Sequence, residues 1–197
     1  FNGTTSMVQV PDAAALKPAN LSVEAWINPQ AGIADKASVF MKSTSGAWDD
    51  GYGMYYSTAD GKLWFFVQNA ATQRVGVALP ALNTWTHVAG TFDGSTLKFY
   101  INGSRAASAA YSGGAVSHST ADLTIGSGSG GSFVWNCQVD ELGIYNRALT
   151  LAEVSARHSA GANGVLPAGM TLNGATGVLS GTPTAIRANY AFTIRAL

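Results

Sequence analysis

The stretch Gln138-Val139-Asp140-Glu141-Leu142-Gly143-Ile144-Tyr145-Asn146-Arg147-Ala148-Leu149-Thr150-Leu151-Ala152-Glu153-Val154 decides how this chain folds. It begins as a short apolar strand carrying adjacent carboxylates and passes through Asn146-Arg147-Ala148-Leu149 into a small helix. Thr150 stands where it can cap that helix, and Glu153, three residues on, can reach back to the Thr150 amide. Leu149 and Val154 occupy the two positions of a hydrophobic staple. Box and staple together hold strand and helix at a fixed angle, which closes one end of a β-sandwich.

Outward from this segment, strand signals recur along most of the chain. Short apolar runs at 7–10, 21–27, 39–41, 52–57, 62–68, 74–79, 86–92, 97–101, 105–110, 122–125 and 139–145 are predicted strands. Asp60-Gly61, Asp93-Gly94 and Asn102-Gly103 are predicted hairpin turns, because these residues tolerate positive φ. Many short strands at close spacing, with almost no helix, imply an all-β fold of two antiparallel sheets. Residues 1–160 form one such domain. The tail, 161–197, begins with the Gly/Ala-rich linker Ala160-Gly161-Ala162-Asn163-Gly164 and carries about three further strands, too few to bury a core of their own.

Only 11% of the 197 residues are charged, against about 25% in ordinary domains, so Ser, Thr, Asn and Gly must supply the surface polarity. That favours a secreted or cell-surface β-protein. Eleven basic residues balance eleven acidic ones without a Lys/Arg run, which argues against nucleic acid and anionic membrane as partners. No apolar run approaches the roughly 18 residues of a membrane span. The chain opens on Phe1 without a signal peptide and is expected to be a processed or excised segment of a larger protein. The single cysteine, Cys137, reads as a small buried hydrophobe. His87, within a strand, reads as structural; His118 and His158, in Ser- and Ala-rich surroundings, read as solvated.

Phe1-Asn2-Gly3 with Met7-Val8-Gln9-Val10-Pro11, then Val23-Glu24-Ala25-Trp26-Ile27, Asn83 through Gly94, Leu97-Lys98-Phe99-Tyr100-Ile101-Asn102-Gly103 and the Asp140–Val154 segment follow one another in a recognisable order. Together they resemble the laminin-G-like jelly rolls of the concanavalin-A-like lectin/glucanase superfamily, over residues 1 to about 158. The tail, with Leu166-Pro167-Ala168-Gly169 and Thr176-Gly177-Val178-Leu179-Ser180-Gly181-Thr182-Pro183, resembles the later part of a bacterial immunoglobulin-like repeat. Trp26, Trp85 and Phe99, in apolar strands, are expected in the core. Glu24, a carboxylate in an apolar strand, needs a partner, and Arg147 is the expected one.

The resemblance implies a calcium site near the sandwich rim in many members, and the positions matching it are Asn2 and Asp140. Asp140 and Glu141, adjacent on a strand, should point to opposite faces, so only one can serve a given site. For sugars, the loop Trp48-Asp49-Asp50-Gly51-Tyr52 sets an aromatic ring beside two carboxylates. If Tyr56 pairs with Leu63 across the Asp60-Gly61 turn, then Tyr52, Met54, Leu63, Phe65 and Val67 share the core face. Tyr55, Trp64, Phe66, Gln68 and Arg74 then share the other, which is read as an open aromatic surface. Trp135-Asn136 is a lesser candidate of the same kind.

Superfamily glucanases place paired carboxylates on one strand face, and no such strand motif occurs here. The reading is therefore a non-catalytic extracellular recognition module, a monomeric unit of a larger bacterial secreted protein. Its partner is carbohydrate or a glycoconjugate, bound through Trp48, Asp49, Asp50, Tyr55, Trp64 and Arg74, and a structural Ca2+ is expected at Asn2 and Asp140. A structural spacer or protein–protein adhesion domain is the alternative, and a polysaccharide-active enzyme comes third.

Overall fold

In the computed structural model the chain is described over residues 1–44, 47–163, 170–172 and 179–181. Eleven strands alternate with short loops: β1 (Val8–Val10), β2 (Leu21–Pro29), β3 (Ser38–Lys42), β4 (Tyr52–Ser57), β5 (Lys62–Val67), β6 (Arg74–Ala78), β7 (Thr86–Phe92), β8 (Thr96–Ile101), β9 (Ser104–Ala110), β10 (Leu123–Ile125) and β11 (Cys137–Tyr145). They lie within two residues of every predicted strand. A helix, α1 (Leu151–Asn163), follows, and β12 (Met170–Leu172) pairs antiparallel with β13 (Leu179–Gly181). The helix runs on to Asn163, so most of the predicted linker is helical. The last of the strands expected in the tail, Tyr190-Ala191-Phe192-Thr193-Ile194, lies outside the described residues.

β1 to β11 form two antiparallel sheets, one of six strands in the order β1-β10-β3-β4-β5-β6 and one of five in the order β11-β2-β7-β8-β9. This is the two-layer jelly roll that the sequence implies. Strand alternation puts Leu21, Val23, Ala25 and Ile27 of β2 into the space between the sheets, facing Tyr52, Met54, Leu63, Phe65 and Val67 of the other layer. The expected Tyr56–Leu63 register is present. The Asn102-Gly103 turn has φ 48° and 75°, the double positive φ that a tight hairpin demands.

Of the three expected core aromatics, only Phe99 lies between the sheets. Trp26 alternates with the inward Ala25 and Ile27 and so points outward, where its ring stacks on His158 of α1 at 5.5 Å. Trp85 precedes β7 and is 38% exposed. Trp135, read as a surface candidate, is instead wholly buried with Cys137. Burial pushes the Cys137 thiol up to about 11.

The helix start forms as the capping box requires: the Thr150 amide donates to Glu153 at 2.9 Å and the Glu153 amide donates to Thr150 Oγ1 at 3.3 Å. Leu149 and Val154, the staple, are buried against Ala89 and Tyr100 on the outer face of the five-stranded sheet. Once anchored there, α1 brings Arg157 to Glu24. Arg157 Nη1 donates to Glu24 at 3.1 Å, Tyr145 Oη donates to it at 2.6 Å, and His87 Nε2 lies 3.3 Å away. Arg147 does not pair with Glu24. It sits beside the first turn of α1 and forms a two-bond pair with Glu153, at 2.9 and 2.6 Å. Burial raises the Glu24 pKa, but the close approach of His87, the Tyr145 hydrogen bond and the Arg157 charge outweigh it, and the net shift is downward. His158 is therefore packed rather than solvated, and His118 is half-buried with Nε2 3.1 Å from the Pro18 carbonyl.

Candidate functional site

On the six-stranded sheet, the outward side chains form a row that the register defines from edge to edge. Gln9 lies opposite Thr124, Thr124 opposite Met41, Met41 opposite Gly53, Gly53 opposite Phe66, and Phe66 opposite Arg74. Gly53 in the middle is required by its neighbours: a Cβ there would fall 2.7 Å from both Met41 Sδ and a Phe66 ring carbon. The centre of the face is thus dense and apolar, and it is covered.

The cover is Trp48. Its ring stacks on Phe66 at 6.2 Å, tilts against Tyr55 at 5.0 Å and meets Phe133 edge-on at 5.2 Å. It is only 4% exposed. The neighbouring Asp50 explains how the loop is held over the sheet. Its carboxylate accepts from Ser43 Oγ at 2.6 Å, from the Thr44 amide at 2.9 Å and from Thr44 Oγ1 at 2.9 Å. The expectation that Trp48 and Tyr55 present open rings is corrected accordingly: both are buried, and Tyr55 Oη is engaged, donating to the Ala70 carbonyl and accepting from Arg74 Nη1 at 2.6 Å. Burial drives the Tyr55 phenol pKa up, against the lowering effect of Arg74. Asp49 remains exposed.

Two open regions flank this covered centre. At the β5–β6 edge the half-buried Trp64 lies across Gly76, whose absent Cβ leaves room for the ring. The Arg74 guanidinium sits 4.0 Å over the Trp64 ring and Lys62 Nζ 5.2 Å over it, while Trp64 Nε1 donates to Asp60 at 3.1 Å. So Trp64 and Arg74 do meet, as the sequence suggests, but a cation already occupies the aromatic face.

The other region is a cleft of about 360 Å3 at the β1–β10 edge, lined by Met7, Gln9, Thr44, Thr120, Ala121, Asp122, Thr124, Ser129, Gly130 and Gly131. Its polar chemistry has a definite sense. Thr44 donates its proton to Asp50, Thr124 donates to main-chain carbonyls, Ser129 donates to the Ser43 carbonyl, and Gln9 Nε2 donates to Asp122 at 2.6 Å. Those bonds leave acceptor lone pairs of hydroxyls, an amide oxygen and a carboxylate facing the cleft, together with the second Nε2 proton of Gln9 and the Thr120 hydroxyl. The sequence reading missed this cleft, because its walls come from four separate stretches.

Asn2 and Asp140 do not converge. Asn2 bridges to Asn136, four residues before Asp140 on β11, which at about 3.3 Å per residue is a separation of roughly 13 Å. Calcium ligands must all lie within about 2.6 Å of one ion. Asn2 Oδ1 already accepts from the amides of Thr4, Thr5 and Ser6 at 2.9–3.0 Å, so it caps a loop. Among the described residues no group of three or more His, Cys, Asp or Glu could hold a metal ion. A bulge between Asp140 and Gly143, with Glu141 at φ 50°, also breaks the strict alternation expected for Asp140 and Glu141. This pair therefore does not fit a shared calcium site.

A family model described as the concanavalin A-like lectin/glucanases superfamily matches residues 2–155. The chain belongs to this superfamily. An Ig-domain model matches residues 119–197, overlapping the first over 119–155, where β10 and β11 are strands of the sandwich. No curated protein sequence matches the chain. Among solved structures, the binding domain of Paraclostridial Mosquitocidal Protein 1 is similar with a TM-score of 0.63 at 16% identity, covering 85% of this chain and 44% of that one. Domain 4 of AbnA, a GH43 extracellular arabinanase from Geobacillus stearothermophilus, solved with arabinotriose, gives 0.60 at 22%, covering 79% and 73%. The botulinum neurotoxin serotype D binding domain gives 0.62 at 15%, covering 81% and 42%. At these identities the likeness establishes the superfamily's fold, and the chain spans less than half the length of the toxin domains. No described helix is long and apolar enough to cross a membrane.

Proposed function

We propose that this chain is a non-catalytic glycan-recognition module of a secreted or surface protein, and that the ligand binds on the outer face of the six-stranded sheet. The observation that carries the reading is the acceptor-lined cleft beside the Trp48 cover. A sugar presents many hydroxyl donors, and Gln9, Thr44, Thr120, Asp122 and Ser129 offer acceptors around a space of about 360 Å3, within the usual range for a small-ligand site. Met7, 41% exposed, gives the cleft an apolar wall for the C–H face of a ring. Two of the structural neighbours named above are binding domains and the third was solved with arabinotriose, which supports the same reading.

Trp64 and Arg74 belong to this proposal as an outlying contact. Stacking on Trp64 requires Arg74 to swing aside, so the edge is expected to add less than the cleft. Asp50 serves by holding the loop, and Asp49 is the exposed carboxylate near it. The test is a glycan array followed by titration calorimetry on the best neutral oligosaccharide. Gln9→Ala and Thr120→Val should each weaken binding about three- to tenfold, the scale of one neutral hydrogen bond. Unchanged affinity in both, with loss in Trp64→Ala, would move the site to the β5–β6 edge. Silence across the array favours the spacer reading.

A further inference from the structure

The opposite face of the sandwich carries a second opening. On the five-stranded sheet, register aligns Gly143, Glu24, Ala89, Tyr100 and Arg105 in one row across β11, β2, β7, β8 and β9. α1 covers the first part of that row. Where its first turn ends, a cleft of about 510 Å3 remains, lined by Lys98, Tyr100, Ser104, Arg105, Thr150 and Leu151 over a floor of Leu149.

Four side chains give this cleft a chemistry. Tyr100 is only 2% exposed, its ring wedged among Ala89, Leu149 and Val154, and it lines the cleft. Opposite it, a register shift between Phe99 and Tyr100 sets Arg105 directly across from Tyr100, and Arg105 forms no ion pair or hydrogen bond among the described residues. Bulges of this kind redirect a side chain. Lys98 adds a second cation; it spends one of its three donors on Asp93 at 2.9 Å and keeps two. Leu151, 53% exposed, supplies an apolar rim.

We infer that this cleft binds a carboxylate-bearing sugar, its anionic group held by Arg105 with Lys98 and the Tyr100 hydroxyl, and its ring resting against Leu151. The planar guanidinium matches a carboxylate in a two-bond fork, and the phenol completes the acceptor's shell. This site is separate from the neutral-glycan face, so either can fail without the other.

NMR titration of the whole chain with glucuronic acid, glucose and inorganic sulfate tests it. Glucuronic acid should shift the amide signals of Tyr100, Arg105 and Leu151, while glucose leaves them in place. Arg105→Gln should weaken glucuronate binding tenfold or more and Tyr100→Phe about threefold, and Gln9→Ala should leave it unchanged. Tyr100→Phe removes one oxygen from a packed ring, so its fold can be checked from an unchanged spectrum. Glucuronate shifts that are absent, that map elsewhere, or that persist in both variants overturn the assignment. Sulfate binding as tightly as glucuronate, with the same sensitivity to Arg105→Gln, overturns the sugar acid and leaves a bare anion site.

Discussion

The two outer faces of this sandwich are covered by different means. On the six-stranded sheet a loop folds back and lays one tryptophan over Met41, Tyr55 and Phe66. On the five-stranded sheet a helix is pinned by a buried polar cluster in which Glu24 meets Tyr145, Arg157 and His87. The first cover is apolar and local, with its anchor Asp50 within seven residues of Ser43. The second is ionic and distant, since Arg157 stands 133 residues from Glu24. Beside the apolar cover lies the cleft lined by Gln9, Thr44, Asp122 and Ser129. An ionic cover sets charge over the sheet, and the cleft beside it is cationic.

The difference can be broken from either side. Trp48→Ala should cost the most, about 3–5 kcal/mol in urea unfolding, as for other buried Trp truncations. A loss below about 1 kcal/mol would mean the ring is not a structural cover. Glu24→Ala should cost about 3 kcal/mol, because it leaves Arg157 and Tyr145 without their shared acceptor; it should also loosen α1, read as faster amide exchange at Val154 and Arg157.

Acid should act on the ionic side through Glu24 and His158. Glu24 has its pKa lowered in the fold, so its contribution is present above the ordinary value of 4.5 and is lost as pH falls through the folded value. His158 is lowered from 6.5 by burial and by His87, so the unfolded chain binds more protons and stability falls as pH drops below 6.5. Thermal melts should therefore decline from pH 7 to pH 4, and Glu24→Gln should flatten the lower part of that decline. Trp48→Phe should leave the pH dependence as it is. Smallest is the cap: Thr150→Ala should cost about 1 kcal/mol and leave the Trp48 face untouched.

Strand alternation and turn residues made nearly all of the sandwich legible, down to the Tyr56–Leu63 register and the division of β4 and β5 into two faces. The capping box at Thr150 and Glu153 formed as written. Exposure was not legible, because alternation says which way a side chain points and nothing about what lies above it. Gly53 and Gly76, small residues among large outward aromatics, were the available hint that something rests on that face. Arg147 was a partner that the sequence could offer Glu24, whereas the helix periodicity that follows Glu153 carries Arg157 to the sheet instead. The cleft was invisible for a different reason. Gln9, Thr44, Asp122 and Ser129 share no motif and meet only through strand pairing.

The most direct test of recognition on the six-stranded sheet is a crystal structure of the chain soaked with the best neutral oligosaccharide. Density for a sugar ring between Met7 and Asp122, with its hydroxyls within hydrogen-bond distance of Gln9 and Thr120, is the predicted result. A ring bound on the five-stranded face, or an empty cleft at a concentration that saturates the protein in solution, would contradict it.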